Sequence, residues 1–389
     1  MKEKRTKLTR EQKALRRQIF MVLKQQGFKV NPHIRPAEAS KDHYRKVQSL
    51  ARLEQISIRQ NFLKEFLPHA MKYCRDGKDI IPENIRLELR LVQPDSKEHD
   101  LFHWWNLVWW SVPYQHPYGR QLRFLLWDTT HDAPFGLILL QSPVLRMSVR
   151  DSYLKLPRKT IDLWINKSMS AQRVGALPPY NDLLGGKMVA LALTSNEIRE
   201  TYRRKYNGVT TLMENRIIEP DLLFITTTSA FGKSSIYDRL RYNRETVAKS
   251  IGYTQGAGSF HVPETLYEDL IAFLAKKGVN VARDYGHGPS RKIKLINEAF
   301  NRLQLPKFSY HGIKREFYLF PLARNLIDVI HKGQQPLWVD RPFQTLADYW
   351  QQRWAVPRSQ RFTRWKDFSS RKFFNQVHYT LDRLHNVGN

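Results

Sequence analysis

A glycine pair before an apolar stretch is the first place where residue types and spacing could bind a ligand. In PPYNDLLGGKMVALAL, Gly185 and Gly186 open a helical pattern and Lys187 follows them. Free backbone amides and the positive end of a helix dipole bind anions, and Lys187 adds a charge. A coenzyme pyrophosphate or a nucleic-acid phosphate would fit such a site, with Asn181 as a further contact. The alternative is that the glycines only permit a tight turn against a sheet.

The segment AFGKSS contains Gly-Lys-Ser, which is how the phosphate loop of ATP-binding proteins ends. That signature needs a glycine five residues before Gly232, and Thr227 occupies the position. The preceding strand fits the signature but the loop does not. We therefore interpret Ser234 or Ser235 as the N-cap of a helix, and the sequence disfavours an ATPase.

Acidic side chains offer no clear nuclease site. Asp128 and Asp132 flank a hairpin turn, where acidic residues commonly form the turn itself, and Glu219 and Asp221 precede a strand. Two-metal cleavage of nucleic acid needs several converging carboxylates. A nuclease stays an alternative hypothesis.

The histidines and the cysteine favour no metal site. No pair at i, i+4 occurs among His103, His116, His131, His261, His287 and His311. None of these six lies beside Cys74, the single cysteine. Because zinc sites combine several such ligands, the sequence predicts no bound metal.

The charge balance is the strongest indication of a ligand class. The chain has 64 Lys and Arg against 36 Asp and Glu, a formal net charge of +28. This excess is larger than solubility requires, so it favours a polyanionic partner, with DNA as the first candidate. The alternative is a basic protein that has no such partner.

The cations concentrate towards the ends of the chain. Residues 1–30 contain ten Lys and Arg against two Asp and Glu, and residues 351–389 contain eight against two. YGHGPSRKIK (285–294) is typical of a flexible loop that contacts phosphate through glycines and cations. The candidate nucleic-acid contacts are Arg16, Arg17, Lys24, Arg203, Arg204, Arg291, Lys292, Lys294, Arg353, Arg358, Arg361 and Arg364.

The cysteine count and the apolar runs indicate the compartment. A lone cysteine forms no internal disulfide, which is typical of a reducing cytosol. No run approaches the roughly 20 apolar residues of a membrane-spanning helix, and MKEKRTKLTREQKALRRQ lacks the apolar part of a secretory signal. We expect a soluble cytoplasmic protein without membrane contacts.

The elements that must position these residues divide the chain into three predicted regions. These are a basic helical region over 1–95, a mixed α/β core over 96–270 and a basic α/β extension over 271–389. In the core, RQLRFLLWD and FGLILLQSP are typical of a hairpin, and DLLFITTTS of a buried strand. GGKMVALALTSNEIRETYRRKY and SIYDRLRYNRETVAKSIG are typical of helices. This alternation predicts an α+β fold, a mixed sheet with flanking helices.

The tryptophans of LFHWWNLVWWSVPY allow two interpretations. Rows of aromatic rings can stack on nucleic-acid bases. Aromatic residues at this spacing are more often part of a core or of a wedge between domains. We favour the structural interpretation.

Five segments together resemble a known family. From about residue 100 to 358 they are WSVPY with YGRQLRFLLWD, ALPPYNDLLGGKMVALAL, TTTSAFGKSSIYDRL, IGYTQGAGSFHVPE and YWQQRWAVPR. In this order they resemble the DruA family of the bacterial Druantia anti-phage defence system. The resemblance implies a role in protecting a bacterium against phage. It also implies other Druantia proteins as partners, among them a large helicase-like component.

The order of elements from 120 to 262 also resembles the acetyltransferase fold related to the histone acetylases. In that fold, a loop at a helix start holds the pyrophosphate of coenzyme A, and here ALPPYNDLLGGKMVA takes that place. The match to the usual loop pattern is incomplete because Gly185 and Gly186 are adjacent and Asn181 replaces the expected first residue. Tyr237 could protonate a departing thiolate, but a tyrosine in a helix is usually packing. We therefore predict no bound cofactor.

These features favour a nucleic-acid-binding component of an anti-phage system that has no catalysis of its own. One alternative is an enzyme acting on or near nucleic acid. It would be a nuclease, or an acyltransferase with a coenzyme bound at Gly185–Lys187. Another alternative is an assembly module whose basic face contacts an acidic partner protein.

Overall fold

A computed structural model describes residues 7–31, 33–211, 214–282 and 288–387, with the backbone alone at 288–290 and 385–387. The strands are β1 Phe28–Lys29, β2 Arg35–Pro36, β3 Leu87–Leu91, β4 Gln121–Asp128, β5 Ala133–Gln141, β6 Ser168–Ala176, β7 Phe224–Thr228, β8 Arg241–Tyr242, β9 Glu245–Thr246, β10 Lys249–Tyr253 and β11 Glu316–Pro321.

Helices flank these strands along the whole chain. They are α1 Arg10–Gln25, α2 Lys41–Ile58, α3 Gln60–Lys72, α4 Lys97–Val108, α5 Ser148–Tyr153, α6 Ile161–Asn166, α7 Gly185–Ala192, α8 Asn196–Tyr206, α9 Glu264–Lys276, α10 Gly288–Arg302, α11 Leu326–Lys332, α12 Phe343–Trp350, α13 Val356–Ser359 and α14 Ser370–Val387. None of the described helices is long and apolar enough to cross a membrane.

A seven-stranded sheet with the order β10-β11-β7-β6-β5-β4-β3 forms the centre. Its neighbours are antiparallel except for β6 and β7, which are parallel. The predicted α+β class is therefore confirmed, as are the β4–β5 hairpin and the buried strand β7. The strands of the hairpin are almost wholly buried because helices cover both faces of the sheet.

Two helix predictions within the core need correction. The stretch SIYDRLRYNRETVAKSIG is not a helix, because it forms the β8–β9 hairpin and part of β10. Asn243 and Arg244 both have positive φ angles, 45° and 71°, which suit a two-residue hairpin loop. The stretch from Gly185 to Tyr206 forms two helices rather than one, since the Ser195 hydroxyl accepts the Ile198 amide and starts α8.

Two apolar clusters cover the two faces of the sheet. One contains α7, α8 and α12, and the other contains α3, α4 and α14. Trp104 and Trp105 are buried in the second cluster, where their rings stack on Phe374 and Phe373. The structural interpretation of the tryptophans is confirmed, since the indole of Trp109 also donates to the Ala176 carbonyl.

A third cluster joins α1, β1, α9 and α10, and we call these elements the helical module. It combines residues 15–47 with residues 262–313, which are far apart in the chain. The Arg16 guanidinium, for example, donates to the carbonyls of Leu303 and Gln304. The three predicted regions stay a prediction, and the apolar clusters group the chain differently.

Candidate nucleic-acid interface

Helix α1 carries four cations on one exposed face. The Thr9 hydroxyl caps the helix, and Leu15, Ile19 and Leu23 anchor its opposite face in the helical module. At 100° per residue the four cations fall within about 60° of one another. None of them forms an ion pair with a described residue. This set, the α1 stripe, comprises Arg10, Lys13, Arg17 and Lys24.

Other predicted cations of the helical module have partners within the chain. Arg16 holds the end of α10, 2.7 Å from the Leu303 carbonyl oxygen. The Lys292 ammonium lies 2.7 Å from a Glu264 carboxylate oxygen and 4.4 Å from the centre of the Tyr267 ring.

The first turns of α10 hold the remaining predicted cations of this module. Arg291 donates to the Asn280 carbonyl, and Lys294 is exposed. The predicted flexible loop is wrong for 288–294, because Leu295, Ile296 and Phe300 give this stretch a buried helical face. Residues 283–287, including His287, lie outside the described residues.

The predicted pair on α8 belongs to a different cluster. Arg203 and Arg204 are exposed in the last turn, while Ile198 and Tyr202 anchor the helix in the core of the sheet. Cations are favourable at a helix C-terminus because the dipole is negative there. This placement gives both arginines a structural reason that needs no ligand.

The structure brings the C-terminal cations next to the glycine turn. The Arg358 guanidinium donates to the Asp182 carbonyl at 2.5 Å, and the Lys187 ammonium lies 5.4 Å from the Trp354 ring centre. Arg353, Arg361 and Arg364 are exposed on the same C-terminal segment. Two predicted groups that are far apart in sequence thus lie beside each other.

The glycine turn itself is tightly packed. A Cβ on Gly185 would lie 2.6 Å from the Tyr180 carbonyl oxygen and 2.9 Å from the Phe135 ring. Asn181 is exposed, and its amide lies 3.4 Å from a carboxylate oxygen of Asp182. Burial lowers the pKa of Lys187. The tight-turn interpretation accounts for Gly185, and anion binding at this helix start stays a prediction.

The acidic residues considered for catalysis have structural partners. The buried Asp128 carboxylate accepts hydrogen bonds from His131 Nδ1 at 2.6 Å and from the Tyr180 hydroxyl at 2.8 Å. Asp221 pairs with Lys167 at 3.2 Å. Tyr237 is buried, and burial raises its pKa to about 12. No group of three His, Cys, Asp or Glu that could hold a metal ion occurs within the described ranges.

Sequence reasoning missed an aromatic row beside Lys187. The rings of Tyr242 and Tyr349 lie 4.9 Å apart, and those of Tyr349 and Trp354 lie 5.5 Å apart. All three side chains are half-buried. The aromatic residues of DYWQQRWAV were a visible signal, but Tyr242 joins them only through the fold.

Sequence reasoning also missed three arginines that burial desolvates and that form no ion pair with a described residue. They are Arg52, Arg173 and Arg315. The single cation within the apolar strand SMSAQRVGA was a signal for Arg173.

His99 and His103 stand at i, i+4, a pair that the sequence reasoning overlooked. Burial lowers the pKa of His103 to about 4, so this ring is neutral.

A family model described as "Druantia protein DruA" matches residues 38–332, well over half of the chain. The chain belongs to the DruA family. A curated relative, "Druantia protein DruA" from Escherichia coli (strain UMEA 4076-1), is 33% identical over 343 residues. The alignment covers 87% of this chain and 85% of the relative. No solved structure matches the chain significantly, so the acetyltransferase likeness stays a prediction.

The extent of the DruA match separates the candidate residues. Residues 38–332 include the glycine turn and the cations of α8 and α10. The α1 stripe precedes this part, and the cations of the C-terminal segment follow it. Both strongly basic ends of this DruA-family chain therefore flank the matched part.

Proposed function

We propose that the chain acts in a Druantia anti-phage system by binding nucleic acid, with DNA favoured, through the α1 stripe. One observation carries this proposal: four exposed cations lie on one face of α1, and none of them forms an ion pair with a described residue. A cation that has no carboxylate partner is free to neutralise a phosphate.

The length of the stripe suits a nucleic-acid strand. From Arg10 to Lys24 the helix rises about 21 Å at ~1.5 Å per residue. At ~3.4 Å of rise per phosphate along one strand, that length passes about six phosphates. Phosphate contacts of this kind position a duplex without reading its sequence. We therefore expect binding that depends weakly on base sequence.

Counterion release makes the proposal quantitative. Each neutralised phosphate contributes a slope of about −0.9 to the plot of log affinity against log salt concentration. Four contacts predict an affinity about 100-fold lower at ~200 mM than at ~50 mM salt.

The test is a fluorescence-anisotropy titration of a labelled duplex at both salt concentrations. The variant replaces Arg10, Lys13, Arg17 and Lys24 with glutamine. A control with the same loss of charge replaces four cations that already have carboxylate partners, Arg45, Arg90, Arg302 and Lys332. We expect the stripe variant to lose most of the affinity and the control to keep it. Equal weakening of the two, or wild-type binding that ignores salt, would overturn the proposal.

The family also makes other Druantia proteins the expected partners, including a helicase-like component. Pull-down of the tagged chain with and without nuclease treatment separates two modes of assembly. A partner that stays bound after treatment contacts the protein itself. A partner that is lost is bridged by nucleic acid, and recovery of none of them would contradict the assembly.

A further inference from the structure

Strands β6 and β7 separate part-way along the sheet. They pair from Ser168 with Phe224 to Ala171 with Thr227, and β6 then continues along β5 alone to Ala176. A β-bulge at Gln172 marks the divergence, because Ala171 and Arg173 face consecutive residues of β5. Bulges often re-aim side chains next to functional sites. We call the region where the two strands diverge the β6–β7 fork.

Arg173 enters the fork from the sheet. It is 4% exposed, and its guanidinium donates to Asn106 Oδ1 at 2.6 Å and to the Pro113 carbonyl at 2.7 Å. Burial and the neighbouring Arg315 lower the pKa of Arg173 to about 10, against the opposing effect of Tyr114. These neutral acceptors satisfy its donors but supply no negative charge.

Helix α2 contacts residues around the fork through Gln48 and Arg52, which are one turn apart. Gln48 is fully buried, and its Oε1 accepts from Arg315 Nη2 at 3.2 Å. Arg52 donates to the Trp110 carbonyl at 3.1 Å. Burial lowers the pKa of Arg315 to about 10 and also lowers that of Arg52. The helix thus adds a second arginine to the fork and positions a third.

Four buried polar atoms in and beside the fork have no hydrogen-bond partner: Gln48 Nε2, Arg52 Nε, Asn106 Nδ2 and Gln172 Oε1. Three of them are donors, and they accompany three positive charges that form no ion pair with a described carboxylate. A buried charge without a counter-charge is strongly unfavourable, and so is each unsatisfied donor. An anion with several acceptor oxygens would offset both.

We propose that the β6–β7 fork is a binding site for a phosphate group, held by Arg52, Arg315 and the amide of Gln48, with Arg173 contributing charge. Guanidinium groups are the side chains best matched to phosphate oxygens. The row on α2 continues to Arg59, whose Nη2 lies 3.1 Å from Nε2 of the exposed His116. The site is independent of the α1 stripe.

The test is calorimetric titration of the full chain with inorganic phosphate, pyrophosphate and ATP. Arg52→Gln and Arg315→Gln each remove a charge from the fork. Arg341→Gln is the control, because burial also desolvates Arg341 but this arginine has a carboxylate partner, Glu245, at 3.1 Å. We expect each fork variant to weaken binding at least tenfold and the control to leave it unchanged.

The probes identify the source of the phosphate. Binding of pyrophosphate as tightly as ATP supports a site for phosphate alone, and tighter binding of ATP supports a nucleotide site. No heat with any probe, together with no rise in melting temperature, overturns the proposal. Binding that survives both fork variants, or that only the α1-stripe variant abolishes, places the site elsewhere and also overturns it.

Discussion

The α1 stripe and the β6–β7 fork are both cationic groups without carboxylate partners among the described residues, and they differ in their exposure to water. The stripe residues are exposed, whereas Arg173 is 4% exposed in the fork. An exposed ammonium or guanidinium keeps its hydration, so leaving it unpaired has almost no effect on stability. A buried one loses that hydration and must find acceptors or a ligand. Unpaired cations therefore favour salt-dependent binding of a polyanion at the α1 stripe and binding of a specific small anion at the fork.

The difference in exposure also predicts that binding at the two regions responds differently to salt concentration. Ions screen interactions at the surface within about 10 Å at ~0.1 M salt, but they screen buried charges much less. Binding at the stripe must weaken steeply with salt, and binding at the fork must change little.

The largest effect that we expect from a single substitution at neutral pH is on folding, at Arg173. Arg173→Met leaves Asn106 Oδ1 and the Pro113 carbonyl without their donor in a buried region. We expect the free energy of unfolding in urea to fall by about 3 kcal/mol. Arg52→Met removes a group that has one carbonyl acceptor and an unsatisfied Nε, so without ligand it should be neutral or stabilising. Equal losses for both variants would contradict the distinction between them.

The buried histidines give the next effect, through pH. Burial lowers the pKa of His261 to about 4 and that of His311 to about 2, and their rings lie 5.5 Å apart. The unfolded chain takes up these protons below about pH 6.5 and the folded chain does not. The two neutral rings therefore make their full contribution to the free energy of unfolding above pH 6.5. This free energy falls as the pH drops, by about 1.4 kcal/mol per pH unit for each histidine.

The measurement for this second prediction is the melting temperature between pH 7 and pH 4. His261→Gln should flatten the profile, whereas replacement of the exposed His33 should leave it unchanged. An unchanged slope in His261→Gln would show that other groups cause the acid sensitivity.

Local patterns explain which parts of the fold the sequence predicts. The β4–β5 hairpin follows from periodicity within a single segment and is confirmed, and α1 lies within the predicted basic helical region. The β8–β9 hairpin was missed because Asn243 and Arg244 carry the positive φ angles without a glycine to signal the turn. Residue type alone did not reveal that conformation.

Long-range contacts explain why the candidate site was only partly predicted. Arg17 and Lys24 of the α1 stripe were predicted contacts and Arg10 and Lys13 were not, while the use of Arg16 to hold α10 depends on a contact across 287 residues. Similarly, Lys292 pairs with Glu264 of α9, and Arg315 meets Gln48 of α2. Such contacts decide which cations have partners within the chain. The residue pattern of one segment cannot predict them, because each contact joins two segments that are far apart in the sequence.

The third prediction sharpens the salt contrast with a single change. Arg17→Gln removes one cation of the stripe, so the slope of log DNA affinity against log salt should decrease by about 0.9. Arg52→Gln should leave that slope unchanged, because Arg52 is half-buried and its guanidinium donates to the Trp110 carbonyl. Titrations at four or more salt concentrations measure both slopes. A decrease with Arg52→Gln as large as that with Arg17→Gln would mean that the fork also contacts the duplex.

The smallest expected effect tests the glycine turn. Its exposure to water is intermediate between that of the α1 stripe and that of Arg173, because Lys187 is half-buried beside Trp354. Lys187→Gln should lower DNA affinity about threefold if the helix start binds phosphate, with stability changed by less than about 0.5 kcal/mol. Gly185→Ala separates packing from binding, because its Cβ would lie 2.6 Å from the Tyr180 carbonyl oxygen and must destabilise the chain whether or not an anion binds. Unchanged affinity in Lys187→Gln would leave the tight turn as the whole explanation of the motif.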